Sequence, residues 1–156
     1  EIRDSGHRNE LSDLYDALPR IDRAELHASI GVAAGEGDQE RDRETFDIVL
    51  RDRMGNPLVV TTLNESRSPA TEEMMTSLVT GATRVGEASD HFAGAFLVTS
   101  SFFDPGALDT AAEATGGGIL SRDKRESFVR LSRKDGFHLC LVESRDDDFH
   151  LAVPEL

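Results

Sequence analysis

The stretch FDIVLRDRMGNPLVVTTL, residues 46–63, carries the clearest hairpin signal in the chain. Phe46, Ile48 and Leu50 alternate with Asp47, Val49 and Arg51, the period-two pattern of a half-buried strand. Gly55-Asn56-Pro57 supplies the turn, because glycine and asparagine tolerate positive φ and proline fixes its own. Leu58 to Leu63 follows as a β-branched run without polar alternation, which predicts a strand covered on both faces.

Beyond the hairpin, Ser68-Pro69 reads as a helix start, a hydroxyl cap followed by proline where its missing N–H costs nothing. Glu72 and Glu73 suit the positive end of that helix, and Met75, Leu78, Val79, Ala82 and Val85 form its buried stripe up to Gly86. FAGAFLVT, residues 92–99, is the most apolar segment and reads as a central strand. Asp104-Pro105 repeats the cap-then-proline start, with Ala107, Leu108, Ala111 and Ala112 on the inner face of the next helix. Gly116-Gly117-Gly118 ends it, and Ile119 and Leu120 form a short strand. Residues 128–132, 137–143 and 149–153 are three further strands, the first two joined at Asp135-Gly136. His138, Cys140 and His150 read as outward-facing residues of this extension, with Phe137 and Phe149 as its inward aromatic anchors.

On the upstream side, Leu11, Leu14, Tyr15 and Leu18 predict a helix over 8–18 that Pro19 interrupts. Leu26, Ile30 and Ala33 predict a second helix from Asp22 to Ala34, and the charged, glycine-punctuated residues 35–43 a loop. The expected fold is α/β: a mixed sheet flanked by helices with a C-terminal antiparallel strand extension. Residues 1–21 form an N-terminal helix that doubles as a linker, and 22–156 a single domain. Because the chain opens on Glu1 and not on Met, the expectation is a piece of a longer protein.

The chain carries 30 acidic and 17 basic residues, a net charge of −13, and only Lys124 and Lys134 among the basic residues are lysine. An acidic, arginine-favouring surface fits adaptation to high salt, where a Debye length of about 3 Å at 1 M makes self-repulsion tolerable. Acidity of that origin removes its usual argument against a nucleic-acid partner. Cys140 stands alone, which excludes an internal disulfide and a multi-cysteine zinc site and suggests the cytoplasm. No apolar run approaches the ~20 residues that span a bilayer, so no membrane role is expected.

The order from Glu25 to Leu120 resembles the restriction-endonuclease-like (PD-(D/E)xK) fold, in particular its Mrr-type branch. The residues that carry the resemblance are FDIVL (46–50), LVVTTL (58–63) and GAFLVTSSFFDPGALDTA (94–111). In that family a helix precedes a strand with an aspartate. A second strand bears Glu or Gln, any residue, then Lys. A helix, an apolar strand ending in a Thr/Ser-rich turn and another helix follow. Asp47 matches the aspartate, and Thr99-Ser100-Ser101 with Ala107 matches the later signature. The resemblance implies a Mg²⁺ ion held by oxygen ligands, which lowers the pKa of the attacking water. Here the second ligand position falls on Thr61 and the lysine position on Leu63, and a shift by one residue, to Thr62 and Asn64, restores neither.

Three functions follow as expectations. The preferred one is a non-catalytic endonuclease-like domain of a larger protein, acting in binding or assembly, with nucleic acid as a candidate partner and no cofactor. The second is an active nuclease with a rearranged site built on Asp47 and Glu65, which alone would require Mg²⁺. The third is a homo-oligomerisation domain that dimerises through its C-terminal strands. The candidate nucleic-acid contacts are Arg67, Arg125 and Arg130, and no other metal site is indicated.

Overall fold

The computed structural model describes residues 12–32, 42–114, 137–145 and 148–152. The hairpin is present as β2 (Asp42–Arg51) and β3 (Pro57–Asn64), paired antiparallel, with Gly55 at φ 90° in the turn. Asp52 organises that turn: its carboxylate accepts from the Met54 and Asn56 N–H groups and from the Asn56 side-chain amide, each at 2.9 Å. α1 (Ser12–Ala17) precedes β1 (Arg23–Val32), and α2 (Glu72–Ala88), β4 (Gly94–Thr99), α3 (Pro105–Ala114), β5 (His138–Arg145) and β6 (Asp148–Ala152) follow β3. The six strands lie in sequence order in one sheet. β3, β4 and β5 run parallel, and the other neighbours are antiparallel. The α/β mixed sheet with a C-terminal antiparallel pair is therefore the observed architecture.

The helix expected over 22–34 is instead β1, which pairs with β2 from Arg23↔Arg51 to Val32↔Asp42. Leu26, Ile30 and Ala33 satisfy helical spacing, but Ala24, Leu26, Ala28, Ile30 and Val32 also alternate. The edge of β2 decides between them, because it offers main-chain partners along almost the whole strand. α2 begins three residues later than Ser68-Pro69 implies. The Thr71 hydroxyl accepts from the Met74 N–H at 3.4 Å, while Ala70 is held in a bridge to the 102–104 loop.

Helices cover both faces of the sheet. On one side α2 and α3 press Met75, Leu78, Ala82, Val85, Ala107 and Ala111 onto Val60, Ala95, Leu97, Leu139 and Leu141. On the other, Leu14 and Ala17 of α1 cover Leu58, Val59, Ala93 and Cys140. Gly94 permits this: a Cβ there would meet the Leu14 Cδ1 at 3.1 Å. α1 also explains a correction at β5. His138 and Cys140 do not face outward; they are 1 % and 4 % exposed. β6 pairs His150 with Glu143 and not with His138. Phe137 packs against Phe92 in the core, ring centroids 5.3 Å apart, and so points inward as expected. The glycine cap at 116–118, the strands read at 119–120 and 128–132 and the turn at 135–136 lie outside the described residues.

Candidate functional site

Asp47 stands where the sheet loses its regularity. The β1–β2 ladder skips the His27–Asp47 position, and His27 adopts φ 48°, uncommon for a residue with a side chain. Phe46 and Val49 enter the same core although strict alternation would put them on opposite faces. On its other side β2 pairs with β3 only as far as Ile48↔Thr61. Beyond that point the Asp47 Oδ2 accepts the Leu63 N–H at 2.7 Å, so the side chain takes over as main-chain pairing ends. The Oδ1 lies 3.7 Å from the Nδ1 of His27, a largely exposed ring.

The parting of β2 from β3 opens a groove of about 380 Å³ toward the first turns of α2. Asp47, Thr45 and Phe46 line it from β2, Thr62 from β3, and Thr71, Glu73, Met74 and Ser77 from the start of α2. Thr45, Thr71, Glu73 and Ser77 are exposed, so the groove is open along one side. Arg84, further along α2, braces this helix against β2: it donates to the Asp42 carboxylate at 2.7 Å and to Glu44, contacts that hold its guanidinium above its ordinary pKa, Asp42 foremost.

The structure brings some of the expected site residues together and leaves others apart. Asp47 lines the groove, and the β3 residue beside it is Thr62 and not Thr61. Thr61 is buried opposite Ile48. Glu65 lies exposed just beyond β3 and does not line the groove; the second carboxylate there is Glu73. In the sequence Glu73 reads only as a helix-end charge, and no local signal aims it at Asp47. Arg67 is exposed in the loop after β3, its carbonyl accepting from the Ser101 hydroxyl at 3.1 Å. Arg125 and Arg130 lie outside the described residues.

A Mg²⁺ ion takes about six oxygen ligands in near-octahedral array. Against that demand the groove offers one aspartate with an oxygen already engaged, one glutamate on the opposite wall and hydroxyls. Among the described residues no three of His, Cys, Asp and Glu gather as a metal centre requires. The loops at the ends of β3 and β4 are tied together instead. Asn64 Nδ2 donates to the Ser68 carbonyl at 2.8 Å and to the Thr99 hydroxyl at 3.0 Å, and its Oδ1 accepts the Ser66 hydroxyl at 2.7 Å. No described helix is long and apolar enough to cross a membrane.

Similar folds occur among solved structures at low identity. The protein of unknown function AF1548 is 12% identical, with 81% of this chain and 66% of that chain covered and a TM-score of 0.42. A repair endonuclease from Pyrococcus abyssi is 18% identical, with 87% of this chain and 46% of that one covered and a TM-score of 0.35. The EndoMS structure, a complex with double-stranded DNA, is 18% identical, with 89% and 45% covered and a TM-score of 0.34. The chain thus spans under two thirds of the first of these and under half of the two endonucleases. No curated protein matches it. The family model that does match runs over residues 1–156, and the chain belongs to that family, described as Domain of unknown function (DUF7527).

Proposed function

We propose that this is a non-catalytic domain of endonuclease-like architecture, acting in binding or assembly. The observation that carries this reading is the engagement of Asp47. Its carboxylate holds the Leu63 N–H where β2 and β3 part, and the neighbouring strand presents Thr62 where a cutting site needs a second metal ligand. Asn64, two residues on and thus on the same face as Thr62, is buried in hydrogen bonds to the two loops instead of offering a cation. The excess of arginine over lysine accords with a salt-adapted setting and the lone Cys140 with the cytoplasm, but salt adaptation would exchange a working lysine for arginine and not for asparagine or leucine.

The test is a cleavage assay of the wild-type chain on single- and double-stranded DNA with Mg²⁺ or Mn²⁺, alongside thermal melts with and without metal. No cleavage and no metal-dependent rise in melting temperature are expected. Metal-dependent cutting that Asp47→Ala abolishes would overturn the proposal.

A further inference from the structure

The face of the sheet turned away from α2 and α3 is apolar, and among the described residues α1 covers only one end of it. Strand register lays this face out in rows. Leu26, Ile48, Thr61, Phe96 and Cys140 stand side by side across β1 to β5. Leu63, Val98 and Val142 form the next row, toward the C-terminal ends of β3, β4 and β5. Neither row holds a charged residue, in a chain that is 30% charged, so the composition is that of a covered face. Leu14 and Ala17 of α1 cover Cys140, with Phe96 partly buried beside them. Leu26, Ile48, Leu63, Val98 and Val142 join neither core cluster. The last four are half-buried, and Leu26, on the edge strand, is 71% exposed.

We propose that this face packs on the same face of a second copy of the chain. The inference goes beyond the non-catalytic reading, since the groove lies on the opposite, α2 side of the sheet. The shape favours a copy. A helix such as α1 is about 10 Å thick, and packed sheets lie about 10 Å apart. A copy turned about a two-fold axis therefore sets bare half on bare half, and each α1 closes one end of the contact. The chemistry favours a copy too. Rows without charge give a nucleic acid or a charged peptide nothing to pair with, whereas an apolar row matches itself. Five strands about 4.8 Å apart and two rows about 7 Å apart, with a side chain's width at the rim, give a face of roughly 300 Å². That is within the range where the largest patch of a monomer is often functional. Two such faces bury about 600 Å², and with the α1 flanks the contact stays at the low end of specific interfaces, so the dimer is a weak one. Two chains of net charge −13 also repel each other, a repulsion that salt screens.

The experiment is sedimentation equilibrium of the full chain from about 20 μM to about 1 mM, in about 0.15 M and about 2 M NaCl, with NMR spectra of the labelled chain over the same range. Expected is a monomer–dimer equilibrium whose association constant rises about threefold or more in the higher salt. Concentration-dependent shifts should fall on Leu26, Ile48, Leu63, Val98 and Val142. Leu26→Glu changes a position exposed in the free chain, so the fold stays intact, and association should weaken about tenfold or more because the contact would bury an unpaired charge. Leu26→Met conserves volume and should associate as wild type does. A chain that stays monomeric at the highest concentration and salt overturns the inference. So does a dimer that Leu26→Glu leaves unchanged, or one whose shifts fall on β6 or the groove instead of these rows. None of these results bears on DNA cleavage, so failure here leaves the non-catalytic reading standing.

Discussion

Asp47→Ala separates a structural aspartate from a catalytic one by the sign of its effect on stability. Truncation removes the acceptor of a 2.7 Å hydrogen bond from the Leu63 N–H. A hydrogen bond to a charged group contributes about 1.5–3 kcal/mol net. The Asp47 side chain is 35 % exposed, so water partly replaces it after truncation, and the loss should fall near 1–2 kcal/mol. For a domain of this size each kcal/mol moves the melting temperature by about 2–4 °C, so a drop of about 2–8 °C is expected. Asp47→Asn keeps an acceptor without the charge and should lose roughly half as much. Native-state hydrogen exchange gives the local readout: the Leu63 amide should exchange faster in Asp47→Ala, while the amides of Leu97 and Leu141 keep their relative protection. If Asp47 were a metal ligand held among other carboxylates, its removal would relieve repulsion and raise the stability of the metal-free protein. A variant as stable as wild type, with Leu63 exchange unchanged, would refute the structural role.

Three other outcomes follow from the packing and the charges. Leu97 is fully buried in the central strand between the helices, so Leu97→Ala should cost about 3 kcal/mol in urea denaturation, as core truncations do. Burial pushes the Cys140 thiol up to about 12, so it should resist a thiol reagent at pH 8 in the native protein and react at once in denaturant. Asp52 is held below the usual aspartate range, chiefly by the Asn56 side-chain amide. A depressed carboxylate contributes stability above its unfolded pKa of about 3.9 that is lost as pH falls through the folded value. Melts of Asp52→Asn between pH 6 and pH 2 should therefore show a flatter acid limb than wild type, and an equally steep limb would remove Asp52 from the acid response.

The parts of the fold legible in the sequence are those set by short-range chemistry. The turn at Gly55-Asn56-Pro57, the Asp104 cap and the apolar stripe of α2 each depend on residues within a few positions of one another. β1 was not legible, because its alternation and a helical spacing fit the same residues, and only the distant edge of β2 chooses. The burial of His138 and Cys140 was hidden for the same reason: α1 lies more than a hundred residues away in sequence. At the candidate site Asp47 could be found from its strand, but Thr61 and Thr62 are the same residue type, and no polarity pattern tells which of them faces the groove. Glu73 reaches Asp47's groove only through the way α2 docks, which the buried stripe of Met75, Leu78, Ala82 and Val85 sets against distant strands.

An attempt to rebuild a cutting site shows how firmly the present arrangement is held. Thr62 already lines the groove in register with Asp47, so Thr62→Glu adds a further carboxylate on the neighbouring strand without disturbing the core. Two like charges then repel, and the metal-free variant should melt below wild type. Millimolar Mn²⁺ should restore the difference, because a ligand that binds only the folded state stabilises it by mass action. The lysine is another matter. Two residues on along the same face stands Asn64, buried and bonded to Ser68, Thr99 and Ser66. Asn64→Lys removes those bonds and buries a charge without a partner, a loss of about 3 kcal/mol or more. The double variant should therefore bind metal yet unfold at much lower denaturant than Thr62→Glu alone. If Asn64→Lys is tolerated and the double variant cuts DNA, the Asn64 network does not bar catalysis, and a few substitutions separate this groove from a nuclease. If stability falls as expected, the network that ties the β3 and β4 loops together is what a working lysine would have to displace.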